Sequence, residues 1–305
     1  MGRFDGKVVW ITGASAGLGR EMAREFARQG AKLILSARRK ERLEELATEL
    51  KETFDAECHL SPCDVTDEAQ VEAAVAAGVE RFGQLDVAVA NAGFGVAGRI
   101  ERLEIADWRR QLDVNVIGAV ATVRSALPEL KKTRGRVALV ASVAGHLASP
   151  RTGAYSASKY AVRAIGQVLS MEMAMAGTGV SCTTLCPGYV ETEIHQIDNR
   201  GVRHEGRSKR PNKLAWQADK AARVMVRAIH ARKREYVFTA HGVVGAWFGR
   251  HLPGLAYFAQ SRGGGGGSAS SSRAATSPAP ATSSTPVDPP ATSPIDTPQP
   301  AGDNP

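Results

Sequence analysis

The chain has 305 residues, of which 39 are Lys or Arg and 31 are Asp or Glu, giving a formal net charge of +8. It has no uninterrupted apolar run of about 18 residues, which argues against a transmembrane helix. The basic residues alternate with glutamate in helical stretches such as RRKERLEELATELK, which argues against a nucleic-acid groove.

Apolar runs alternate with amphipathic stretches along the chain, starting with KVVWIT, a helix that ends at Gly30, and KLILSA. Near-continuous Val, Ile and Leu runs separated by helices are typical of strands buried on both faces. The sequence therefore predicts an α/β fold, a doubly wound and mostly parallel seven-stranded sheet with helices on both faces and ligands at the carboxyl ends of the strands. The predicted strands are 7–12, 32–37, 57–65, 85–93, 135–142, 180–188 and 235–239, and the predicted helices are 18–29, 39–51, 67–82, 107–130, 153–176 and 216–232.

The composition changes near residue 261. Residues 261–305 are rich in Gly, Ser, Ala, Thr and Pro and contain almost no large apolar side chain. Such a segment buries too little surface to offset its ordering entropy. We therefore expect one domain over residues 1–260 and a disordered tail over residues 261–305.

Cysteines and histidines form no recognisable ligand pattern. The four cysteines are Cys58, Cys63, Cys182 and Cys186. They form no CxxC pair and no signal peptide is evident, so we expect reduced core thiols in a cytoplasmic protein. His146, His195 and His204 lack the spacing of metal ligands, and we expect no metal site.

A glycine-rich turn, TGASAGLG, follows the first strand. Gly13, Gly17 and Gly19 suit a tight turn that brings backbone N–H groups and a helix N-terminus onto a pyrophosphate. The spacing differs from the commoner G-x-G-x-x-G fingerprint, so a glycine-rich turn without a ligand stays open at this point.

The end of the second strand bears on the choice of cofactor. A site for a free ribose 2′-hydroxyl expects an acidic residue about 20 residues beyond the glycines. Here Ala37 stands in that place and is followed by Arg38 and Arg39. A guanidinium binds a 2′-phosphate that a carboxylate would repel. We expect NADP(H), against the alternative of a helix start that simply carries basic residues.

A reactive pattern follows the fifth strand. Ser142 stands at its end, and YSASK places Tyr155 and Lys159 at i and i+4 on one helix face. An ammonium beside a phenol favours the phenolate, so we expect Lys159 to lower the pKa of Tyr155 and make it a general acid/base. Ser142 can hydrogen-bond a substrate carbonyl. An isolated Y-x₃-K match would be an ordinary exposed pair.

This match is not isolated. The chain also carries NAG at 91–93, LDVNVIG around Asn115 and PGYVET at 187–192, in that order. Over about residues 5–240 it resembles the short-chain dehydrogenase/reductase family in its single-domain branch. The resemblance implies a Rossmann-type fold and an oxidoreductase that interconverts a carbonyl and a secondary alcohol, and we expect a homodimer or homotetramer.

The resemblance also implies roles for individual residues. Asn115, Ser142, Tyr155 and Lys159 would form a catalytic tetrad. In this tetrad Tyr155 would transfer the proton to or from the substrate oxygen. Lys159 would also bind the hydroxyls of the nicotinamide ribose, and Asn115 would hold a water molecule of the proton relay. The cofactor contacts would come from Gly13, Ser15, Gly17, Leu18, Gly19, Arg38, Arg39, Asp64, Val65, Asn91, Ala92, Gly93, Pro187, Gly188, Val190 and Thr192, with Asp64 and Val65 at the adenine and the last four at the nicotinamide and its pyrophosphate.

The loops after strands four to six hold the substrate determinants. Phe94, Val96, Leu147 and Ile194 predict an apolar pocket and a hydrophobic ketone or aldehyde as substrate. The leading hypothesis is an NADP(H)-dependent oxidoreductase, and the alternative is a non-catalytic NADP(H)-binding sensor or scaffold. The basic stretch 199–213 would be a solvated face or an entrance for an anionic ligand, or in the alternative would recruit a partner.

Residues 241–260 carry Trp, Phe, Leu and Tyr side chains interrupted by four glycines, a proline and cations. One interpretation is packing on the chain's own domain or on a dimer mate, and the other is an apolar lip that contacts a membrane surface. Packing is preferred at this point because the whole segment could be buried against the domain.

Overall fold

The computed structural model describes residues 2–192, 199 and 215–263. The strands in this part of the chain are β1 Val8–Thr12, β2 Lys32–Ser36, β3 Cys58–Leu60, β4 Val87–Ala90, β5 Arg136–Val140, β6 Ser181–Pro187 and β7 Glu235–Phe238. The α-helices are α1 Gly17–Arg28, α2 Lys40–Phe54, α3 Glu68–Phe82, α4 Ile105–Leu112, α5 Gly118–Thr133, α6 Gly153–Met175, α7 Ala218–His230, α8 Ala240–His251 and α9 Pro253–Gly263.

The strands form one seven-stranded sheet in the order β3-β2-β1-β4-β5-β6-β7. Every pair of neighbours is parallel. The chain moves outward from β1 to β3, returns to the other side of β1 with β4, and then moves outward again to β7. The prediction of a doubly wound sheet is confirmed, and its topological switch point lies between β1 and β4, where ligands bind in such folds.

Alternate residues of each strand enter two cores, one on either face of the sheet. In β1, Val9 and Ile11 belong to one core, whereas Val8 and Trp10 belong to the other. The indole of Trp10 is fully buried and donates a hydrogen bond to Ser36 Oγ at 2.9 Å. With both faces covered, the strands are continuous apolar runs, as the sequence predicted.

The thiols behave as expected. All four cysteines are free, and three of them are buried. Burial raises the pKa of Cys182 and Cys186 to about 12, so both remain protonated core groups.

Several predicted elements differ from the structure: the strand expected over 85–93 covers only Val87–Ala90, and α8 and α9 were not predicted. The helix expected over 107–130 is divided by a π-helical turn at Asp113–Ile117. The strand expected over 57–65 ends at Leu60, because β3 pairs only with β2 and its last paired residue, Leu60, lies opposite Leu35. Apolar residues beyond Leu60 are buried in a loop instead, which periodicity alone does not distinguish from a strand.

Several predictions concern residues outside the described part of the chain. These are the basic stretch 199–213 apart from Asn199, the residues His195, His204 and Ile194, and residues 264–305. In the part that is described, no helix has the length and apolar character needed to cross a membrane.

Candidate active site

A cleft with a volume of about 350 Å³ opens at the carboxyl ends of the central strands. It combines the turn after β1, the end of β2, the loop after β4 and one face of α6. Its lining is Ser15, Ala16, Gly17, Leu18, Ala37, Arg38, Arg39, Asn91, Gly93, Phe94, Val140, Ala141, Tyr155, Lys159, Pro187 and Thr192. The topological switch point thus coincides with the place where most of the predicted site residues meet.

The three glycines of the first turn serve different purposes. A Cβ on Gly13, which has φ +69°, would lie 2.7 Å from Ala92 Cα, and one on Gly19 would lie 2.2 Å from Gly13 O. Neither position has room for a side chain, because the turn is closely packed within itself and against the loop after β4. Gly17, with φ +54°, lines the cleft itself. The sequence predicted a bare turn for a ligand, but two of the glycines are required by packing within the protein.

Asn91 and Thr12 fasten this turn to the loop after β4. The Asn91 side-chain amide donates to the carbonyls of Thr12 and Gly13 at 3.1 and 3.2 Å. The buried Thr12 hydroxyl accepts from the Asn91 backbone N–H at 3.3 Å. The sequence indicated Asn91 but not Thr12, which looked like an ordinary last residue of a strand.

The N-terminus of α1 lies at the cleft. The helix begins at Gly17, and its N-cap residue Ala16 makes no side-chain capping hydrogen bond. The first N–H groups of a helix have no partner within the helix and carry its positive dipole end. An uncapped start beside a glycine with positive φ fits a phosphate group.

Two arginines occupy the other end of the cleft. Arg39 Nη2 donates to Ser15 Oγ at 3.2 Å, and Arg38 lies 3.8 Å from a carboxylate oxygen of Asp64. The Arg38 side chain is 68% exposed, so this ion pair contributes little to stability and leaves the guanidinium at the rim. Ala37 itself adds no carboxylate to this end of the cleft.

Tyr155 lines the cleft beside Ser142 and is half-buried. Burial raises the pKa of Tyr155 above its usual value, and a hydrogen bond with Ser142 acts in the opposite direction. The prediction that Lys159 lowers the pKa of Tyr155 is wrong for the protein by itself. The Lys159 ammonium lies 5.7 Å from the centre of the Tyr155 ring, and its own pKa falls to about 8 on burial.

The Lys159 ammonium is anchored to the strand below it. Its Nζ donates to the carbonyl of Val140 at 2.8 Å, at the end of β5. An ammonium has three donors, so two remain for groups that enter the cleft. Lys159 is therefore placed to bind a ligand hydroxyl as well as to supply charge.

Asn115 holds the loop after β4 rather than standing free in the cleft. Its amide donates to Phe94 O at 3.0 Å and to Ser158 Oγ at 3.1 Å, and its carbonyl oxygen accepts from Phe94 N at 3.1 Å. The residue sits in the π-helical turn, a feature common at functional sites. The side chain thus positions Phe94, which lines the cleft.

Gln111 was missed by the sequence reasoning. It is fully buried, accepts from Val96 N at 2.6 Å and donates to Phe94 O at 2.9 Å. Together with Asn115 it fixes both sides of the loop after β4. A single glutamine in an amphipathic helix carries no local signal for such a role, because the loop it holds lies 15 residues away.

Other predicted residues lie near the cleft without lining it. Val65 packs against Gly118, Val190 belongs to a core, and Gly188 packs against Thr239. The predicted apolar pocket also divides: Phe94 lines the cleft, whereas Val96 is buried beneath it. Leu147 lines a separate cavity of about 330 Å³ beside α9.

The fold assembles one cluster that the sequence did not predict. The ligand atoms of His146, Cys186 and Glu235 all lie within 4.8 Å of one another. Among the described residues, neither ring nitrogen of His146 has a hydrogen-bond partner. Glu235, however, already pairs with Arg163 at 2.7 Å and with Arg250. Two guanidinium groups at this point disfavour a cation, and the expectation of no metal site stays a prediction.

Comparison with known proteins agrees with this geometry. The short chain dehydrogenase family profile matches residues 7–202. An uncharacterized oxidoreductase of Staphylococcus saprophyticus is 35% identical over 204 residues, 67% of this chain and 86% of that protein. The 11-beta-hydroxysteroid dehydrogenase A of Sesamum indicum is 33% identical over 250 residues, 80% of this chain and 69% of the relative.

Two solved structures share the fold. An alcohol dehydrogenase from the archaeon Thermococcus sibiricus, complexed with 5-hydroxy-NADP, aligns with a TM-score of 0.67 and 31% identity over 77% of this chain and 96% of that one. A short chain dehydrogenase/reductase from Burkholderia phymatum, in complex with NAD, gives a TM-score of 0.69 and 32% identity over 77% and 89%. This chain belongs to the short chain dehydrogenase family.

Proposed function

We propose that this protein is an NADP(H)-dependent oxidoreductase that interconverts a carbonyl and a secondary alcohol on a hydrophobic small molecule. The observation that carries the proposal is the convergence of Ser142, Tyr155 and Lys159 beside a cleft that also holds an uncapped helix N-terminus. A protein that only bound a nucleotide would not need a half-buried phenol near a hydroxyl and an ammonium. We also propose that this protein forms a homodimer or homotetramer.

The cleft residues fit a nicotinamide dinucleotide phosphate. The N-terminus of α1 with Gly17 would bind the pyrophosphate, and Lys159 would hold ribose hydroxyls with its remaining donors. Arg38 and Arg39, with Ala37 in place of an acid, favour a 2′-phosphate. When bound, the nicotinamide supplies or accepts the hydride.

Tyr155 would move the proton. Its raised pKa keeps the phenol protonated at neutral pH, which suits donation to a carbonyl oxygen during reduction. The Ser142 hydroxyl, fixed by Ala144 N at 3.1 Å, would orient the same oxygen. In the oxidative direction Tyr155 must lose its proton first, so activity should rise with pH.

A hydrophobic substrate is supported by Phe94, Ala141 and Val140 in the cleft lining. The Sesamum indicum relative is named for a hydroxysteroid, which is a hydrophobic secondary alcohol. We therefore propose apolar ketones, aldehydes and secondary alcohols ahead of sugars and organic acids.

A matched pair of substitutions on α6 tests the proposal. NADPH oxidation is measured with a panel of hydrophobic ketones and aldehydes for the wild type, Tyr155→Phe and Tyr160→Phe. Tyr160 lies on the same helix, but its hydroxyl donates to His146 O at 2.6 Å outside the cleft. We expect Tyr155→Phe to lose activity by about 100-fold or more and Tyr160→Phe to keep it. Equal rates in the wild type and Tyr155→Phe would instead favour the non-catalytic sensor or scaffold.

A further inference from the structure

The last two helices expose an unusual amount of apolar surface. In α8 and α9 the exposed fractions of seven large side chains run from 41% at Leu252 to 76% at Tyr257. These side chains are Val243, Val244, Trp247, Leu252, Leu255, Tyr257 and Phe258, and we call them the C-terminal apolar face. These large residues are therefore not buried against their own domain, and packing on a dimer mate stays a prediction.

Helix α8 is oriented opposite to an ordinary surface helix, which buries its large apolar side chains. Its buried residues are the small Gly242 and Ala246, and a Cβ on Gly249 would lie 2.2 Å from His146 O. These three positions recur at i, i+4 and i+7 and form the inner side of the helix. Val243, Val244 and Trp247 are consequently left on the outer side.

The segment that carries this face has charges of one sign. From Tyr236 to Val287 the chain contains no Asp or Glu, while Arg250 and Arg262 lie among the apolar residues. Arg250 also pairs with Glu235. The Arg262 guanidinium lies 4.0 Å from the centre of the Phe258 ring, so a cation borders an exposed aromatic ring of this face.

We propose that the C-terminal apolar face binds the surface of an anionic lipid bilayer. Exposed Trp, Tyr and Phe beside cations are typical of segments that lie in the headgroup region. A second copy of the chain is a poorer occupant, because a symmetric contact would set this face against itself and the face has no acid to pair with Arg262. The bilayer supplies both the apolar interior and the negative charge that the face lacks.

The proposal does not depend on the catalytic assignment, because it rests on α8 and α9 alone. It would place the loop after β5 close to a membrane. Gly245 of α8 approaches Val143 and Leu147 of that loop, and both follow Ser142. A hydrophobic substrate dissolved in the bilayer would then have a short route to the protein. Tyr155→Phe is expected to bind vesicles as the wild type does, which separates the two hypotheses.

Vesicle flotation of the full chain tests the proposal. The probes are vesicles of phosphatidylcholine alone and of phosphatidylcholine mixed with phosphatidylglycerol, at low and high salt. The variants are the triple change Trp247→Ser, Tyr257→Ser and Phe258→Ser, the charge change Arg262→Gln, and the control Met175→Ser, an exposed apolar residue at the end of α6. Melting temperatures check that each variant is folded.

We expect the wild type and Met175→Ser to float with the anionic vesicles, and high salt to weaken the association. The triple change should reduce the bound fraction by about tenfold or more, and Arg262→Gln by a smaller factor. Trp247 is half exposed whereas Trp10 is fully buried, so a blue shift of tryptophan emission on binding should disappear in Trp247→Phe while flotation persists.

Two results would overturn the proposal. One is a contrary flotation experiment, in which either no protein floats with anionic vesicles at low salt or the triple change leaves flotation intact. The other is a wild-type dimer that the triple change converts to monomers without any vesicle binding. That second result would assign the face to another copy of this chain.

Discussion

Lys159 Nζ and the carbonyl oxygen of Val140 lie 2.8 Å apart, so the ammonium is bound to the end of β5, and no acid in the described part of the chain pairs with it. Lys159 is buried, and burial lowers its pKa to about 8. The same residue thus serves as a fixed donor in the cleft and as a charge that the fold accommodates at a cost.

Lys159→Met should lower activity and change its pH dependence. The positive charge of Lys159 is complete below about pH 8 and fades above it, because that is where its pKa lies. We therefore expect a loss of alcohol oxidation of about 100-fold or more at neutral pH, and a smaller difference from the wild type as the pH rises. The measurement is kcat/KM for alcohol oxidation from about pH 6 to 10. Lys159→Arg keeps the charge without the geometry and should rescue only partly; an unchanged profile in Lys159→Met would contradict the role.

The stability of the same variant should respond to pH in a defined direction. Between the folded-state pKa of about 8 and the usual value of 10.5, the unfolded chain binds the Lys159 proton and the folded chain does not. Wild-type stability therefore gains with rising pH in this window, by up to about 3 kcal/mol, whereas Lys159→Met lacks this contribution. Urea unfolding of both proteins at pH 7, 8.5 and 10 should show the difference moving in favour of the wild type. A pH-independent difference would mean that Lys159 keeps an ordinary pKa.

Cofactor preference should follow the end of β2. Ala37→Asp combined with Arg38→Asn places a carboxylate where the 2′-phosphate would lie and removes a guanidinium. We expect the ratio of NADPH to NADH affinity to fall by about tenfold or more. Titration of both cofactors checks this, with Arg124→Asn on α5 as the control because that arginine is exposed and pairs with Glu68. Tighter binding of NADH than of NADPH by the wild type would refute the proposed preference.

Gly19→Ala should destabilise the protein more than its chemistry suggests. The added methyl would lie 2.2 Å from Gly13 O and 2.5 Å from Asn91 Nδ2, and both are held in place. We expect a loss of about 2–3 kcal/mol in the free energy of unfolding and weaker cofactor binding. Gly254→Ala is the control, since no atom lies within 4 Å of its Cβ position. It should change stability by less than about 1 kcal/mol.

His146 should make the fold sensitive to acid. Its pKa is lowered to about 4 by burial and by Arg163 and Arg250, with Glu235 acting in the opposite direction. Between pH 6.5 and about 4, His146 binds a proton in the unfolded chain but not in the folded chain. The free energy of unfolding therefore falls as the pH falls. His146→Gln removes this titration and should flatten the curve in that range. Thermal unfolding from pH 7 to 4 compares the two proteins, and parallel curves would count against a buried neutral histidine.

The sequence by itself determined the parts of this protein that depend on short-range patterns. Continuous apolar strands separated by amphipathic helices specified the doubly wound sheet, because a parallel strand is buried on both faces. The i and i+4 spacing placed Tyr155 and Lys159 on one face of α6 through helix geometry alone. The basic end of β2 marked one end of the cleft because it lies at the carboxyl end of a strand beside the glycine turn.

Only the tertiary structure decided what lies opposite these residues. A side chain at Gly19 would collide with Asn91, and Phe94 is held by Gln111 and Asn115. Glu235 contacts groups from α6, α8 and the loop after β5. The pKa of Tyr155 moves upward because burial outweighs the hydrogen bond with Ser142. Burial and long-range hydrogen bonds depend on how distant elements pack, and no local spacing encodes that packing. For the same reason the sequence supplied the large apolar residues of α8 and α9, but only their packing showed that small residues face inward and Trp247 faces out.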